Sequence, residues 1–343
     1  MLKYKEDQRT LAFIAINFIL AFTGYFLFQT ASWAILIPLL IGTCCFTFFC
    51  AVTVHNTIHC PIFKKKTHNK LFQFILSLSY GYSVSAFVPG HNFSHHKWAQ
   101  TNKDNMRTTR MRFRWNLLNQ LFFFFAVSSE IMVMEVKWVK KMYKVKPSWF
   151  YQWLAESVLV YAVKIGLLIY DWQAGLLFIW LPHFYGTWGI VGTNVWQHDG
   201  TDQSHPYNHS RSFTSPILNF FTCNNGYHTA HHMRPGLHWS KLPDFHEKHV
   251  APFAHPNVNR VSLFAYLWES YVWPGKRVDY LGNPIPVPNK SVSEDWIDDL
   301  KFRSKDHEED YGVESVDTED TVDPSNIEEI NEQVTPDTYK EMA

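Results

Sequence analysis

The chain alternates between long apolar runs and short polar punctuation. Leu11 to Phe28 carries no charged residue, and neither does Ala31 to Ile62. Two further runs follow, Trp153 to Tyr170 and Ala174 to Thr193, the first interrupted only by Glu156 and Lys164. At roughly 1.5 Å per residue each run can cross a hydrocarbon layer of about 30 Å. The pattern therefore predicts four transmembrane helices. Leu71 to Pro89 and Trp115 to Met134 are also apolar and aromatic, but are dotted with Ser, Gln, Asn or Glu. That mixture predicts interfacial or half-buried helices. The first run exceeds the ~7–15-residue apolar core of a cleaved signal, and a second follows almost at once, so it is expected to be a retained span.

Composition supports a membrane protein. Of 343 residues 46% are hydrophobic, with 28 Phe and 14 Trp, yet mean hydropathy is −0.19, so the apolar content is concentrated in the runs. The formal charge of zero hides an asymmetry. Between Thr53 and Gln152 fifteen Lys or Arg face three acidic residues, whereas from Lys290 onward eighteen Asp or Glu face five basic residues. The connections near 29–30 and 171–173 contain no Lys or Arg. Because positive loops stay in the cytoplasm, the basic middle is expected there and the two short turns outside. The expected fold class is an all-α integral membrane protein, multi-pass. Two transmembrane hairpins (four spans) would carry a cytoplasmic helical cap. The expected organisation is a cytoplasmic N-terminus over 1–10, a membrane domain with its cap over 11–289, and an acidic, disordered tail over 290–343. The five cysteines form no CxxC spacing, which argues against a disulfide framework or zinc ribbon. No internal repeat, glycine-rich nucleotide loop or nucleic-acid motif is present, so no nucleic-acid partner is expected.

Three clusters hold eight of the eighteen histidines: "HNTIH" (His55, His59), "HNFSHH" (His91, His95, His96) and "HTAHH" (His228, His231, His232). Residues i and i+4 share one face of a helix. His55 with His59, and His91 with His95, would each present two imidazoles to one place. His96 is rotated about 100° further and would reach a second metal. The i, i+3, i+4 spacing of the third cluster reads as a single face. Eight neutral imidazoles without a local carboxylate partner are too many for one tetrahedral zinc and suit two iron atoms with positions open for oxygen. A lone pair of histidines is more often structural. Three clusters, all at or beyond span ends on one expected side, are not. "HEKH" (His246 to His249) lacks zincin spacing, and the other histidines are left as surface or supporting groups.

With these residues assembled, the sequence resembles the membrane-bound fatty acid desaturase superfamily. The likeness lies in boxes of the HxxxH, HxxxHH and HxxHH type around two hairpins. It extends to the flanking text "HHKWAQTNKDN" and "NNGYHTAHHMRPGLHWSKLP", over roughly residues 10 to 260. The resemblance implies a non-heme di-iron centre ligated by the eight box histidines, O2 as co-substrate, and oxidation of an unactivated carbon of an acyl chain, expected as cis-desaturation. Relatives that act on acyl-CoA add one His from an NxxxH segment after the fourth span. "NVWQH" matches that pattern, implying His198 as a ninth ligand and Asn194 as a supporting group.

The heme-binding HPGG segment is absent from the sequence, so electrons are expected from a separate ferredoxin, rubredoxin or cytochrome-b5-like donor. The substrate is expected to be an acyl-lipid, acyl-CoA, acyl-carrier protein or free fatty acid. Hydroxylation, oxidative decarboxylation and carotenoid oxidation remain open alternatives at such a site. A membrane metal transporter or metal-binding protein is the alternative of another class, although transport would place polar ligands within the spans. The aromatic stretches 71–89 and 115–134 read either as tunnel walls or as lipid-facing helix. "RTTRMRFRW" (Arg107 to Trp115) reads either as a membrane-surface anchor or as a site for a phosphate headgroup.

Overall fold

In a computed structural model, which describes residues 1–289 and 291–300, the chain is mostly helical. The principal helices are α1 (Gln8–Leu27), α2 (Trp33–His59), α3 (Lys66–Tyr80) and α4 (Val84–Trp98). They continue with α5 (Asn116–Val145), α6 (Pro147–Tyr170), α7 (Trp172–His198) and the short α8 (His228–Met233). One two-stranded parallel ladder, Ser212–Phe213 on Asn259–Arg260, ties the segment after α7 together. Apolar side chains such as Ile19, Phe26, Ile41, Val158 and Ile169 point outward from α1, α2 and α6. In a lipid solvent this exposure carries no hydrophobic penalty.

The four predicted runs all form long helices. Two of the weaker stretches differ from expectation. The one expected over Leu71 to Pro89 is two helices, α3 and α4, bent by 84°. Gly81 makes the bend: its φ of 87° is left-handed, open to glycine without the Cβ clash of other residues. The stretch expected over Trp115 to Met134 runs on unbroken to Val145, and by length and composition α5 joins α1, α2, α6 and α7 as apolar enough to cross a membrane.

Polar groups inside the helical layer are paired. Asn17 on α1 donates to the Ser79 carbonyl at 3.1 Å and accepts from Thr47 Oγ1 on α2 at 2.9 Å. Glu156, fully buried on α6, accepts from Ser83 Oγ (2.7 Å), Ser85 N–H (2.9 Å) and Gln152 Nε2 (2.8 Å). Lys164 donates to the Gly81 carbonyl at 3.3 Å and lies over the rings of Trp180 and Tyr82 at 4.4 and 4.6 Å. Both charges that interrupt the third run thus face inward, as ionisable residues in spans must. At one end of the bundle the two turns touch, Gln29 donating to Asp171 at 2.8 Å. At the other end the start of α1 is clasped by the segment after α7: Asp7 accepts from Trp239 Nε1 at 3.0 Å and lies 3.2 Å from His238 Nε2.

Residues 291–300, within the stretch expected as an unpacked tail, pack onto α5. Trp296 is fully buried, its ring 5.8 Å from that of Trp138, and Lys137 pairs with Asp295 at 2.7 Å. An aromatic ring outweighs the acidic composition around it. The rest of that stretch lies outside the described residues. Trp296→Ala should cost about 3 kcal/mol of local packing. It is expected to open 291–300 to limited proteolysis while the helical bundle keeps its melting behaviour.

Candidate metal centre

The histidine clusters meet at the end of the bundle where α2 and α7 terminate. α2 delivers His55 and His59 one turn apart, as their spacing predicts. The α4 segment Pro89–His95 is π-helical, and the His96 N–H bonds the His91 carbonyl five residues back. With an i→i+5 ladder the aligned pair becomes i, i+5. His96 Nε2 consequently lies 3.0 Å from His91 Nε2, and His95 turns to the other side. The expected pairing of His91 with His95 is therefore corrected, because it assumed an ordinary α-helical turn. The third cluster also divides. On α8, His228 and His232 share a face at i, i+4 while His231 points elsewhere, so the expectation of a single face is likewise corrected.

Two groups result. His55, His59, His91, His96 and His231 form one; His95, His198, His228 and His232 form the other, and within each group the facing ring nitrogens all lie within 4.8 Å of one another. His231 Nε2 is 3.1 Å from His96 Nε2, and His198 Nε2 is 2.9 Å from His228 Nε2. His95 and His198 rings are 4.8 Å apart. The structure thus brings all nine candidate histidines together, and without His198 the second group would have three members. Each group could hold one metal ion.

The electrostatics fit cation binding. Burial first, and then neighbouring imidazoles, push His228, His231 and His232 well below the usual histidine range, leaving them in the neutral form that ligates metal. Among the described residues both ring nitrogens of His59 and Nε2 of His232 are buried with no hydrogen-bond partner. Such orphans cost about 1–3 kcal/mol each, a penalty a bound cation would remove.

Spacing alone did not reveal several supporting groups. Asp104, fully buried, places Oδ2 3.0 Å from His95 Nδ1 and also accepts from the Gln100 and Met106 N–H groups. The expectation of no local carboxylate is corrected here: Asp104 reaches His95 through a loop, which no helical period announces, although it lies in the quoted "HHKWAQTNKDN". A carboxylate at Nδ1 fixes the tautomer that frees Nε2. Asn56 Oδ1 lies 3.2 Å from His55 Nδ1. Asn194 is buried beside the site and donates to the Met106 carbonyl. Arg107 is buried and donates to Ser293 Oγ at 2.8 Å, and Arg110 pairs with Glu130. These two arginines of the basic run are therefore committed to internal contacts. His238 and His246 serve Asp7 and Asn259 (3.2 and 3.0 Å).

A cavity of about 400 Å³ opens from His55, His91, His95 and His228 between α4, α5, α6 and α7, walled by Phe87, Phe124, Ile131 and Ile190 among others. It is largely apolar and continuous with the histidines. Parts of both aromatic stretches line it, favouring the tunnel reading over lipid-facing helix for those parts.

The pattern described as "Fatty acid desaturase" matches residues 30–263, a stretch that contains both histidine groups. The chain belongs to the fatty acid desaturase family. This desaturase-family chain is 26% identical over 234 residues to a sphingolipid delta(4)-desaturase of Candida albicans, covering 63% of this chain and 62% of that protein. It is 28% identical over 214 residues to a sphingolipid delta(4)-desaturase of Komagataella phaffii, covering 57% and 56%. The matched region therefore spans less than two thirds of either relative's length.

Glu156, through Ser83 and Ser85, holds the start of α4 and hence the π-helical turn that sorts His91, His95 and His96. Glu156→Ala should cost roughly 3–5 kcal/mol, the scale of a broken buried charged network, seen as a lowered melting temperature. Glu156→Gln, which can still accept, is expected to lose less.

Proposed function

We propose that this chain is a membrane-bound di-iron oxidase that introduces a double bond into the hydrocarbon chain of a lipid, receiving electrons from a separate protein. The observation that carries this reading is the pair of buried histidine groups opening onto an apolar cavity. The donor set is all imidazole and largely buried, and among the described residues several of its nitrogens find no protein partner. His55, His59, His91, His96 and His231 would hold one iron; His95, His198, His228 and His232 the other. Loaded with two irons and O2, the site supplies an oxidant able to remove hydrogen from an unactivated carbon.

The protein's share is positional. Asp104 and Asn56 orient their imidazoles, Asn194 ties the end of α7 to the loop at Met106, and the apolar walls hold a methylene chain beside the histidines while excluding water. The printed names of the relatives favour desaturation, with a sphingolipid as a candidate substrate. A metal transporter is disfavoured because the imidazoles gather at the bundle's end rather than within its apolar middle.

The membrane arrangement is read from which segments touch. Among described residues after His198 no helix is long and apolar enough to cross, so 199–300 are read as lying on one side. Both ends of α5 reach that segment, Asn116 donating to the Ser270 carbonyl at 3.1 Å and Lys141 to that of Ile297. α5 is therefore read as lying along the membrane face despite its length. The start of α1 and the ends of α2 and α7 meet the same segment, and the Gln29–Asp171 contact joins the far turns. This supports four spans, with the site on the cytoplasmic side given by the basic segments. In a cysteine-free background, a cysteine at Gln173 should label from outside, and one at Gln100 or Asn225 should not. Outside labelling at Gln100 would sink the arrangement.

The iron reading is tested on the purified full chain, which should carry two irons and, in cells, yield lipids with a new cis double bond. An alcohol in their place would reassign the outcome to hydroxylation. His198→Ala should cut iron content toward half and abolish turnover, whereas His205→Ala, outside both groups, should do neither. Asn194→Ala should lower turnover more than iron content. Full iron and turnover in His198→Ala would remove it from the ligand set.

A further inference from the structure

We infer that the part of the cavity between α5 and α6 is a headgroup subsite for a lipid whose polar end donates hydrogen bonds and carries no negative charge, with Glu135 as its principal acceptor. The inference rests on the reading of the histidine groups as the site of oxidation. Its own support is the composition of the cavity.

On α5 the lining residues Phe124, Ser128, Ile131, Met132 and Glu135 recur at helical spacing, so one face of that helix points into the cavity. The face changes character along its length, from Phe124 to a carboxylate at Glu135. Opposite, α6 contributes Ser157 and Tyr161, again one turn apart. Met132 is 65% and Tyr161 43% exposed, so the cavity has a lateral mouth between α5 and α6. A lipid could enter there from the bilayer without passing through water.

Among the described residues no Lys or Arg lines the cavity, and Glu135 is its single carboxylate. The nearby cations are committed elsewhere: Arg107 to Ser293, Arg110 to Glu130, and Lys164, behind the Tyr82 and Tyr161 rings, to the Gly81 carbonyl. An anionic head seated here would meet Glu135 with no uncommitted cation beside it to offset the repulsion or its own desolvation. A hydroxyl, amide N–H or ammonium would instead gain a charge-assisted hydrogen bond. Glu135 Oε1 already accepts from Trp153 Nε1 at 3.3 Å, which holds the carboxylate in place with acceptor capacity to spare. The Phe93 ring, between His91 and His95 in sequence, stacks 5.2 Å from Trp138 on the next turn of α5. That stack ties the polar end to the same rigid unit as the histidines.

The test uses the full chain in neutral lipid nanodiscs and reads binding, not turnover. Three competitors of matched chain length displace a fluorescent long-chain lipid: an N-acyl amino diol, the free amino diol, and the fatty acid. Wild type is expected to bind at least one of the two donor lipids tenfold or more tightly than the fatty acid. Preference for the free amine would identify an ammonium as the donor, and preference for the N-acyl form a neutral hydroxyl or amide. Glu135→Gln should lose at least tenfold in donor-lipid affinity, the scale of a hydrogen bond to a charged acceptor, with iron content and melting temperature unchanged. Ser157→Ala should show a smaller loss. Equal or tighter binding of the fatty acid by wild type, or unchanged selectivity in Glu135→Gln, would overturn the inference. If Glu135→Gln is not recovered folded, wild-type selectivity decides alone. Iron measured on the same preparations keeps the two readings apart: selectivity without iron would refute the metal centre and leave the lipid subsite standing.

Discussion

Nine imidazoles crowded together and largely buried impose the main constraint on this molecule. Each brings polar nitrogens into a region of low dielectric, where unpaired donors and acceptors are costly, and several nitrogens have no protein partner among the described residues. The arrangement must be held by something stiffer than itself. The ends of α2 and α7 supply that stiffness for His55, His59 and His198, because helices embedded in an apolar layer have their backbone groups satisfied internally. Such helices cannot shift by a fraction of a turn without unpacking.

The remaining histidines come from the shorter helices α4 and α8, and the segments around them lean on buried carboxylates. Asp104 steadies His95 directly, while Glu156 steadies the start of α4 from a neighbouring helix. Asp7 does a related task at a distance by pinning the segment that follows α7 to the start of α1. In each case a carboxyl group is buried, and its desolvation is offset by hydrogen bonds to it. Acidic residues are scarce between Thr53 and Gln152, three in all, and of these Asp104 alone is fully buried; Asp7 and Glu156 lie outside the stretch.

The π-helical turn at Pro89–His95 lets one short segment serve both histidine groups. An α-helical turn would send His91 and His95 to the same place and leave His96 beside them. Widening the ladder by one residue exchanges the partners, so His91 joins His96 and His95 crosses to the group containing His198. The same segment also carries Phe93 onto α5, linking the walls of the cavity to the histidines.

The sequence by itself determined the long helices, because an unbroken apolar run of span length has few other ways to satisfy its backbone in lipid. It determined the candidate histidines as well, including His198, because their spacing and flanking residues are local properties of the chain. Tertiary structure alone decided which histidine joins which group, since one extra residue in a helical ladder rotates every following side chain and leaves no mark in composition. It also decided that α5 packs through its whole length, that Trp296 is core rather than tail, and that Asp104 reaches His95. Loop geometry and long-range packing set those contacts, and no periodicity along the chain encodes them.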